Sequence, residues 1–221
     1  MKSRLPVFLI DLDGVLEEPR GYRFAIQSTL NWFAERMGLG DMYPGEDAIA
    51  GFEAINMTSE WDITSILLAS IFNELVKQYP GVALPADVLA ACDFVNDHHL
   101  DAPKLSLDLL RSTLYANFRP GMQFADLAFD LSRPVNGSKT FSALAEHPLL
   151  ENILTRTRML DGSLTTRVFQ HFTLGSEKFE VFTGMVALFN SESYLLKYDR
   201  VMIKETTRKM LLTFWEQSKC G

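Results

Sequence analysis

Residues 7–18 read VFLIDLDGVLEE, and four apolar residues in this stretch lead directly into two aspartates. A continuous apolar run is typical of a strand covered on both faces, so we predict a buried strand over residues 5–11. Side chains alternate along a strand, which puts Asp11 and Asp13 on the same side of its end. Carboxylates that close repel each other, and a bound cation or a proton on one carboxyl relieves the repulsion. The alternative is an Asp-Gly turn that simply ends the strand.

The composition is that of a globular protein. The 221 residues are 47% hydrophobic and 22% charged, enough for one large domain or two small ones. The net charge of −7 and the lack of a Lys/Arg cluster argue against a nucleic-acid-binding protein. The run VFLI is too short for a signal peptide and no later run reaches membrane-spanning length, so we predict no membrane segment. Cys92 and Cys220 form neither a disulfide framework nor a ligand pair, so we expect a cytoplasmic protein.

After the first strand, the chain is predicted to be almost entirely helical. Apolar residues recur at spacings of three and four, which indicates one face of a helix, and glycine or proline closes most of these stripes. Thr58 or Ser59 is a candidate N-cap, with Asp62 able to reach back toward it as in a capping box. Residues 41–57 are rich in turn formers, and residues 193–203 predict a short hairpin or two extended pieces. The predicted helices cover about residues 22–37, 63–79, 85–98, 107–119, 122–131, 140–157, 164–174 and 204–217.

The stretch FLIDLDGVL resembles the first motif of the haloacid dehalogenase (HAD) superfamily of phosphatases and phosphomutases: an apolar strand, then Asp-x-Asp-Gly. By position, the resemblance implies that Asp11 attacks phosphorus and forms an aspartyl-phosphate, while Asp13 protonates the leaving oxygen and later activates water. It also implies a Mg²⁺ ion on the Asp11 carboxylate and the Asp13 backbone carbonyl, and a sharp turn at Gly14 beside the phosphate. The implied activity is hydrolysis of a small phosphorylated metabolite, or a phosphomutase reaction through the same intermediate.

Three further segments, GYRFAIQSTLNWF, NMTSEWDIT and FQHFTLGSEKFE, resemble the helical insertion of one subgroup of uncharacterised HAD hydrolases, in which the helices cap the active site. This implies that Tyr22, Arg23, Asn56, Trp61 and Asp62 face the cleft between cap and core. Arg23 would then hold an anionic part of the substrate. The alternative is that Tyr22 and Trp61 belong to the core and that Asp62 only caps its helix.

The fold implied by the resemblance is α/β and HAD-like, with a Rossmann-type core and a large helical cap. This chain would be mostly α, with the motif-bearing first strand and a short hairpin. Residues 1–16 would form the first strand and motif of the core, residues 17–185 the helical cap, and residues 186–221 the return to the core.

Other parts of the family pattern are not found in the sequence. The stretch VFTG at 181–184 mimics the second motif but lies in a helical pattern, so we interpret Gly184 as a helix end. Lys204 opens the last predicted helix, and no acidic pair follows a late apolar strand. We therefore expect these 221 residues to be the front part of a longer protein, inactive or weak alone, because the phosphate clamp is missing. The alternative is a non-catalytic helical binding module that keeps only the first motif.

His98 and His99 are the other candidate metal ligands. Adjacent helical residues point about 100° apart, so the two imidazoles cannot easily meet one metal ion. We interpret them as solvated histidines at a helix end.

Overall fold

A computed structural model describes residues 16–114, 140–144 and 146–219, and the side chains of the last helix as far as residue 216. The predicted strand over residues 5–11, the motif residues Asp11, Asp13 and Gly14, and the predicted helix near 122–131 lie outside the described residues. The described part is mainly helical and contains one two-stranded sheet, so the prediction of a mostly helical chain is confirmed.

The chain enters the described part in a short strand and then continues through helices. No helix of the described part has the length and the apolar character needed to cross a membrane. The elements are β1 (Glu17–Glu18), α1 (Arg20–Arg36), α2 (Glu46–Ala54), α3 (Glu60–Gln78), α4 (Val88–Asp97), α5 (Leu107–Thr113), a 3-10 turn (Ser142–Leu144), α6 (Pro148–Leu154), α7 (Leu164–Leu174), α8 (Ser176–Thr183), α9 (Tyr194–Tyr198), β2 (Arg200–Val201) and α10 (Glu205–Lys219).

Helix α3 forms the centre of the core. Every residue from Asp62 to Asn73 is buried, as expected for a helix that is surrounded by other helices on all sides. Helices α1 and α7 pack against it and against each other, and α6 and the 3-10 turn cover another side. The rings of Phe33, Phe72 and Phe169 are buried in this core. Close packing of this kind fixes the position of α1, whose first residues follow the strand β1.

The sheet joins two distant parts of the chain. β1 and β2 are antiparallel, with Glu17 opposite Val201 and Glu18 opposite Arg200. The amide of Met202 donates to the carbonyl of Leu16 at 2.8 Å. The two ends of the helical unit, at Leu16 and Met202, therefore lie side by side.

The predicted hairpin over residues 193–203 is wrong. Residues Tyr194–Tyr198 form α9, because the Ser193 side chain caps this turn by accepting from the amide of Leu196. Only Arg200–Val201 is extended, and it pairs with β1 rather than with its own neighbours. Because the partner strand β1 is far away in the sequence, no local pattern around Arg200 indicates this pairing.

Three other boundaries differ from the predictions. The single helix predicted over 140–157 is interrupted before Pro148, which begins α6 because proline fits the first turn of a helix and disrupts its interior. The helix predicted from Pro85 begins at Val88, where Asp87 accepts the amide hydrogen of Ala90. The turn-rich residues 41–57 contain α2. The predicted helix end at Gly184 is confirmed, and this residue adopts the left-handed conformation that favours glycine.

Candidate functional site

A cleft of about 490 Å³ lies where β1 passes into α1. The sequence limits how far this cleft can lie from the predicted motif. Glu18, on its wall, follows Asp13 by five residues. An extended chain spans at most about 3.6 Å per residue, so the two Cα atoms are at most about 18 Å apart. The residues that line the cleft are Glu18, Pro19, Arg20, Arg23, Phe24 and Glu46.

Arg23 lies in the wall of this cleft, and two glutamates neutralise it. Its Nη2 donates to Glu53 Oε1, and its Nη1 is 3.8 Å from Glu46 Oε2. Nη1 is buried and has no hydrogen-bond partner among the described residues. Both carboxylates hold the guanidinium of Arg23 in place, so an incoming anion would have to compete with them for it.

Glu46 is held by a buried tyrosine. The hydroxyl of Tyr43 donates to Glu46 Oε1 at 2.5 Å. Burial, with the hydrogen bond to the carboxylate, raises the pKa of Tyr43 well above its usual value, so the phenol keeps its proton and remains a donor. Glu46 also lies in the first turn of α2, where the helix dipole favours a negative charge. The carboxylate of Glu46 is therefore oriented by Tyr43 while its side chain is 69% exposed.

The rest of the cleft wall combines an ion pair with an aromatic ring. Arg20 Nη2 donates to Glu18 Oε1 at 2.8 Å. Phe24 is 39% exposed, and its ring centroid is 4.1 Å from that of Tyr198 in α9. The contact fixes the ring of Phe24 with part of its surface toward the cleft.

The other residues implied by the resemblance do not line this cleft. The ring of Tyr22 stacks on that of Phe169 at 6.4 Å, on the core side of α1. Asn56 is exposed after α2 with a φ of 68°. Trp61 is 36% exposed, and its indole N–H donates to Gln170 Oε1 at 3.3 Å.

Asp62 has a different role from a helix cap. It is 1% exposed, accepts from the hydroxyl of Thr157, and accepts from Arg158 Nη2 at 2.9 Å and Nε at 3.2 Å. Ser59 is the N-cap residue of α3, but its hydroxyl makes no capping hydrogen bond to any described residue. The capping-box interpretation is therefore wrong. Asp62 instead connects the start of α3 to the loop after α6.

Asp199 positions one wall of the cleft, although no sequence prediction included it. Its Oδ1 accepts the amide hydrogen of Gly21, in the first turn of α1, at 2.5 Å. Pro19 precedes this helix and has no side-chain oxygen to cap it. The first amides of a helix need a hydrogen-bond acceptor from elsewhere when no Ser, Thr, Asp or Asn precedes the helix. Pro19 before α1 was therefore the one sign in the sequence of a distant acceptor. Glu18, Phe24 and Glu46 gave no comparable signal, because isolated residues outside the core have no periodic pattern.

Neither histidine candidate belongs to a metal site in the described part of the chain. His98 and His99 are exposed at the end of α4, as predicted, and His98 Nδ1 lies 2.9 Å from the carbonyl of Phe94. Within the described ranges, no cluster of three or more His, Cys, Asp or Glu side chains could hold a metal ion.

Comparison with known proteins gives no relative: no family model, no curated protein and no solved structure matches this chain.

Proposed function

We propose that this chain supplies the nucleophile and the helical cap of a Mg²⁺-dependent phosphohydrolase of the HAD type, acting on a small phosphorylated metabolite. The observation that carries the proposal is the cleft beside β1, which the chain reaches within five residues of Asp13. A phosphate ester held at the end of the predicted first strand would extend into such a cleft. Ligands of open α/β sheets bind at the carboxyl ends of strands in this way.

The sheet also supports a cap. Because β1 pairs with β2, the helical unit joins the rest of the chain at one place, as an insertion over an active site requires. Helix α9 packs against α1 and α7, so we assign it to the cap and put the return to an α/β core at Arg200 rather than at residue 186.

The proposed reaction has two steps. A carboxylate oxygen of Asp11 attacks phosphorus, the bond from phosphorus to the ester oxygen breaks, and Asp13 gives its proton to that oxygen. Asp13 then takes a proton from water, whose oxygen attacks phosphorus and releases inorganic phosphate and the Asp11 carboxylate. The oxygen donors of Asp11 and Asp13 suit Mg²⁺, which would offset the charge of the phosphoryl group.

Metal binding and phosphate release test the proposal together. Mn²⁺, followed by its electron paramagnetic resonance signal, serves as the probe for the Mg²⁺ site. We expect Asp11→Asn to weaken Mn²⁺ binding by more than about tenfold. It should also abolish the slow, Mg²⁺-dependent release of phosphate from p-nitrophenyl phosphate and small esters. Asp161→Asn, an exposed aspartate in a loop, is the control and should change neither. Equal Mn²⁺ binding and equal phosphate release in the wild type and Asp11→Asn would overturn the proposal.

A non-catalytic binding module is the second candidate. It is favoured by exposed apolar residues on α10, among them Met210, Leu212 and Trp215, which are 65%, 49% and 58% exposed. Large exposed apolar surfaces are typical of interaction sites. The same experiment separates the two candidates, because a binding module gives no phosphate release that depends on Asp11.

A further inference from the structure

The basic side chains of the cleft are already paired with carboxylates. Glu18 binds Arg20 at 2.8 Å, while Glu53 and Glu46 flank Arg23. Three carboxylates and two guanidiniums leave this group with a net charge of −1. A second anionic group on a ligand would therefore meet no uncompensated cation in this wall.

Glu46 is the carboxylate best placed to bind a cation. Its Oε1 is held by the Tyr43 hydroxyl, whereas its Oε2 lies 3.8 Å from Arg23 Nη1, beyond hydrogen-bond distance. The side chain is 69% exposed and lines the cleft, so Oε2 keeps acceptor capacity for a ligand there. A charge-assisted hydrogen bond from an ammonium group would use that capacity.

Phe24 adds an aromatic surface to the same wall. Its ring is fixed against Tyr198, with a centroid distance of 4.1 Å, and remains 39% exposed. A cation over an aromatic face is attracted by the negative charge density of the ring. The neighbouring ring shows this contact within the protein, since Lys197 Nζ lies 5.5 Å from the centroid of Tyr198.

We propose that the cleft binds an ammonium group, held between the Glu46 carboxylate and the ring of Phe24. This inference rests on the proposed phosphohydrolase, and it makes the substrate class a phosphate monoester of an amino alcohol. The phosphate lies toward Asp11 and the ammonium group lies in the cleft. The two guanidiniums of the lining are already paired with carboxylates, and Glu53 beside Arg23 adds one more negative charge, so esters whose other end is a carboxylate or a second phosphate are disfavoured.

Three phosphate esters, each with a two-carbon chain, test the charge preference: phosphoethanolamine, ethyl phosphate and phosphoglycolate. They end in an ammonium, a methyl and a carboxylate group. Calorimetric titration in the presence of Mg²⁺ should give that order of affinity, with about five- to tenfold between the first two. Equal affinity for phosphoethanolamine and ethyl phosphate would overturn the ammonium site and leave the phosphohydrolase proposal intact.

Variants locate the preference within the cleft. Glu46→Gln and, separately, Phe24→Leu should lower the preference for phosphoethanolamine over ethyl phosphate about fivefold. Glu177→Gln is the matched control, because Glu177 is also an exposed glutamate in the first turn of a helix. The Phe24 variant keeps the charge cluster around Arg23, so it tests the site even where Glu46→Gln disturbs folding. An unchanged preference in both variants would show that the ammonium group does not bind here.

Ethanolamine without phosphate separates this proposal from the phosphohydrolase. At millimolar concentrations it should shift the amide resonances of Arg23 and Phe24 in the wild type and in Asp11→Asn, but not in Glu46→Gln. Such shifts without binding of any of the three esters would support the ammonium site and contradict the phosphohydrolase. No shift with ethanolamine, together with no preference among the esters, would overturn the ammonium site.

Discussion

Asp199 caps α1 from the far end of the helical unit: its Oδ1 accepts the amide hydrogen of Gly21 at 2.5 Å. The next residue, Arg200, pairs with Glu18 in the sheet. Cap and sheet therefore act on the same short segment of chain, between Glu18 and Gly21, which forms one wall of the cleft. The contacts of Asp199 and Arg200 thus also position Arg20 and Arg23, which lie at the start of α1.

Replacing Asp199 tests the importance of this cap. We expect Asp199→Ala to lower the free energy of unfolding by about 1–2 kcal/mol, because the first turn of α1 loses both an acceptor and a negative charge near its positive end. Asp199→Asn should retain most of the stability, since its side-chain oxygen still accepts. Urea denaturation followed by circular dichroism measures both, with Asp161→Ala as the control. An Asn variant as unstable as the Ala variant would mean that the hydrogen bond is not the cause.

Gly21 is required for the close contact between α1 and α9. A Cβ atom there would lie 2.8 Å from the backbone nitrogen of Leu195 and from the carbonyl carbon of Tyr194. These are backbone atoms of a capped turn, so Gly21→Ala should destabilise the protein by about 1–3 kcal/mol, as overpacking does. Gly40→Ala is the control, because a Cβ atom at that position would meet nothing within 4 Å, and it should be neutral or slightly stabilising. Equal midpoints in thermal unfolding would contradict this view of Gly21.

His171 makes stability depend on pH. It is fully buried in contact with the rings of Phe179 and Phe189, and its Nε2 has no hydrogen-bond partner among the described residues. Burial, with the positive charge of Arg167, lowers its pKa below the ordinary value of 6.5, while Glu180 opposes the shift. The folded protein therefore favours the neutral imidazole, and the unfolded chain binds the extra proton.

The sign of this effect follows from proton binding. As pH falls below about 6.5, the unfolded state gains the proton first, so the free energy of unfolding should drop by up to about 1.4 kcal/mol per pH unit. Urea denaturation of the wild type and His171→Leu at pH 7.5 and pH 5.0 isolates this contribution. We expect the variant to lose less stability between the two pH values. A decrease of the same size in both proteins would assign the acid sensitivity to other groups.

Periodicity predicted the helices because it depends only on neighbours three and four residues apart. The stripe from Ile63 to Leu75 predicted α3 but not its burial on all sides, because a stripe marks only one face of a helix. Helix α2 was missed because Pro44, Gly45 and Gly51 read as turn residues, although Gly45 with its φ of 94° only precedes the helix.

Contacts between distant residues left no such pattern. The pairing of Glu17 with Val201 depends on where the whole helical unit returns. Arg23 was a candidate ligand for an anion, but nothing near it in the sequence indicates that Glu53 and Glu46 neutralise it. The sequence therefore predicted the elements and one residue of the cleft, while the charge of the cleft required the structure.

The losses of unfolding free energy on replacing Asp62 and Arg158 should be strongly non-additive, because the two side chains form an ion pair. Asp62 is 1% exposed while the Arg158 side chain is 55% exposed, so removing the arginine leaves a buried carboxylate with only Thr157 as a side-chain donor in the described part of the chain. We expect Arg158→Met to cost about 1–3 kcal/mol of unfolding free energy, mostly through this unpaired charge. In the background of Asp62→Asn, which removes the charge, the same change should cost much less. Denaturation of the two single variants and the double variant completes the cycle, and strictly additive losses would show that the pair is not coupled.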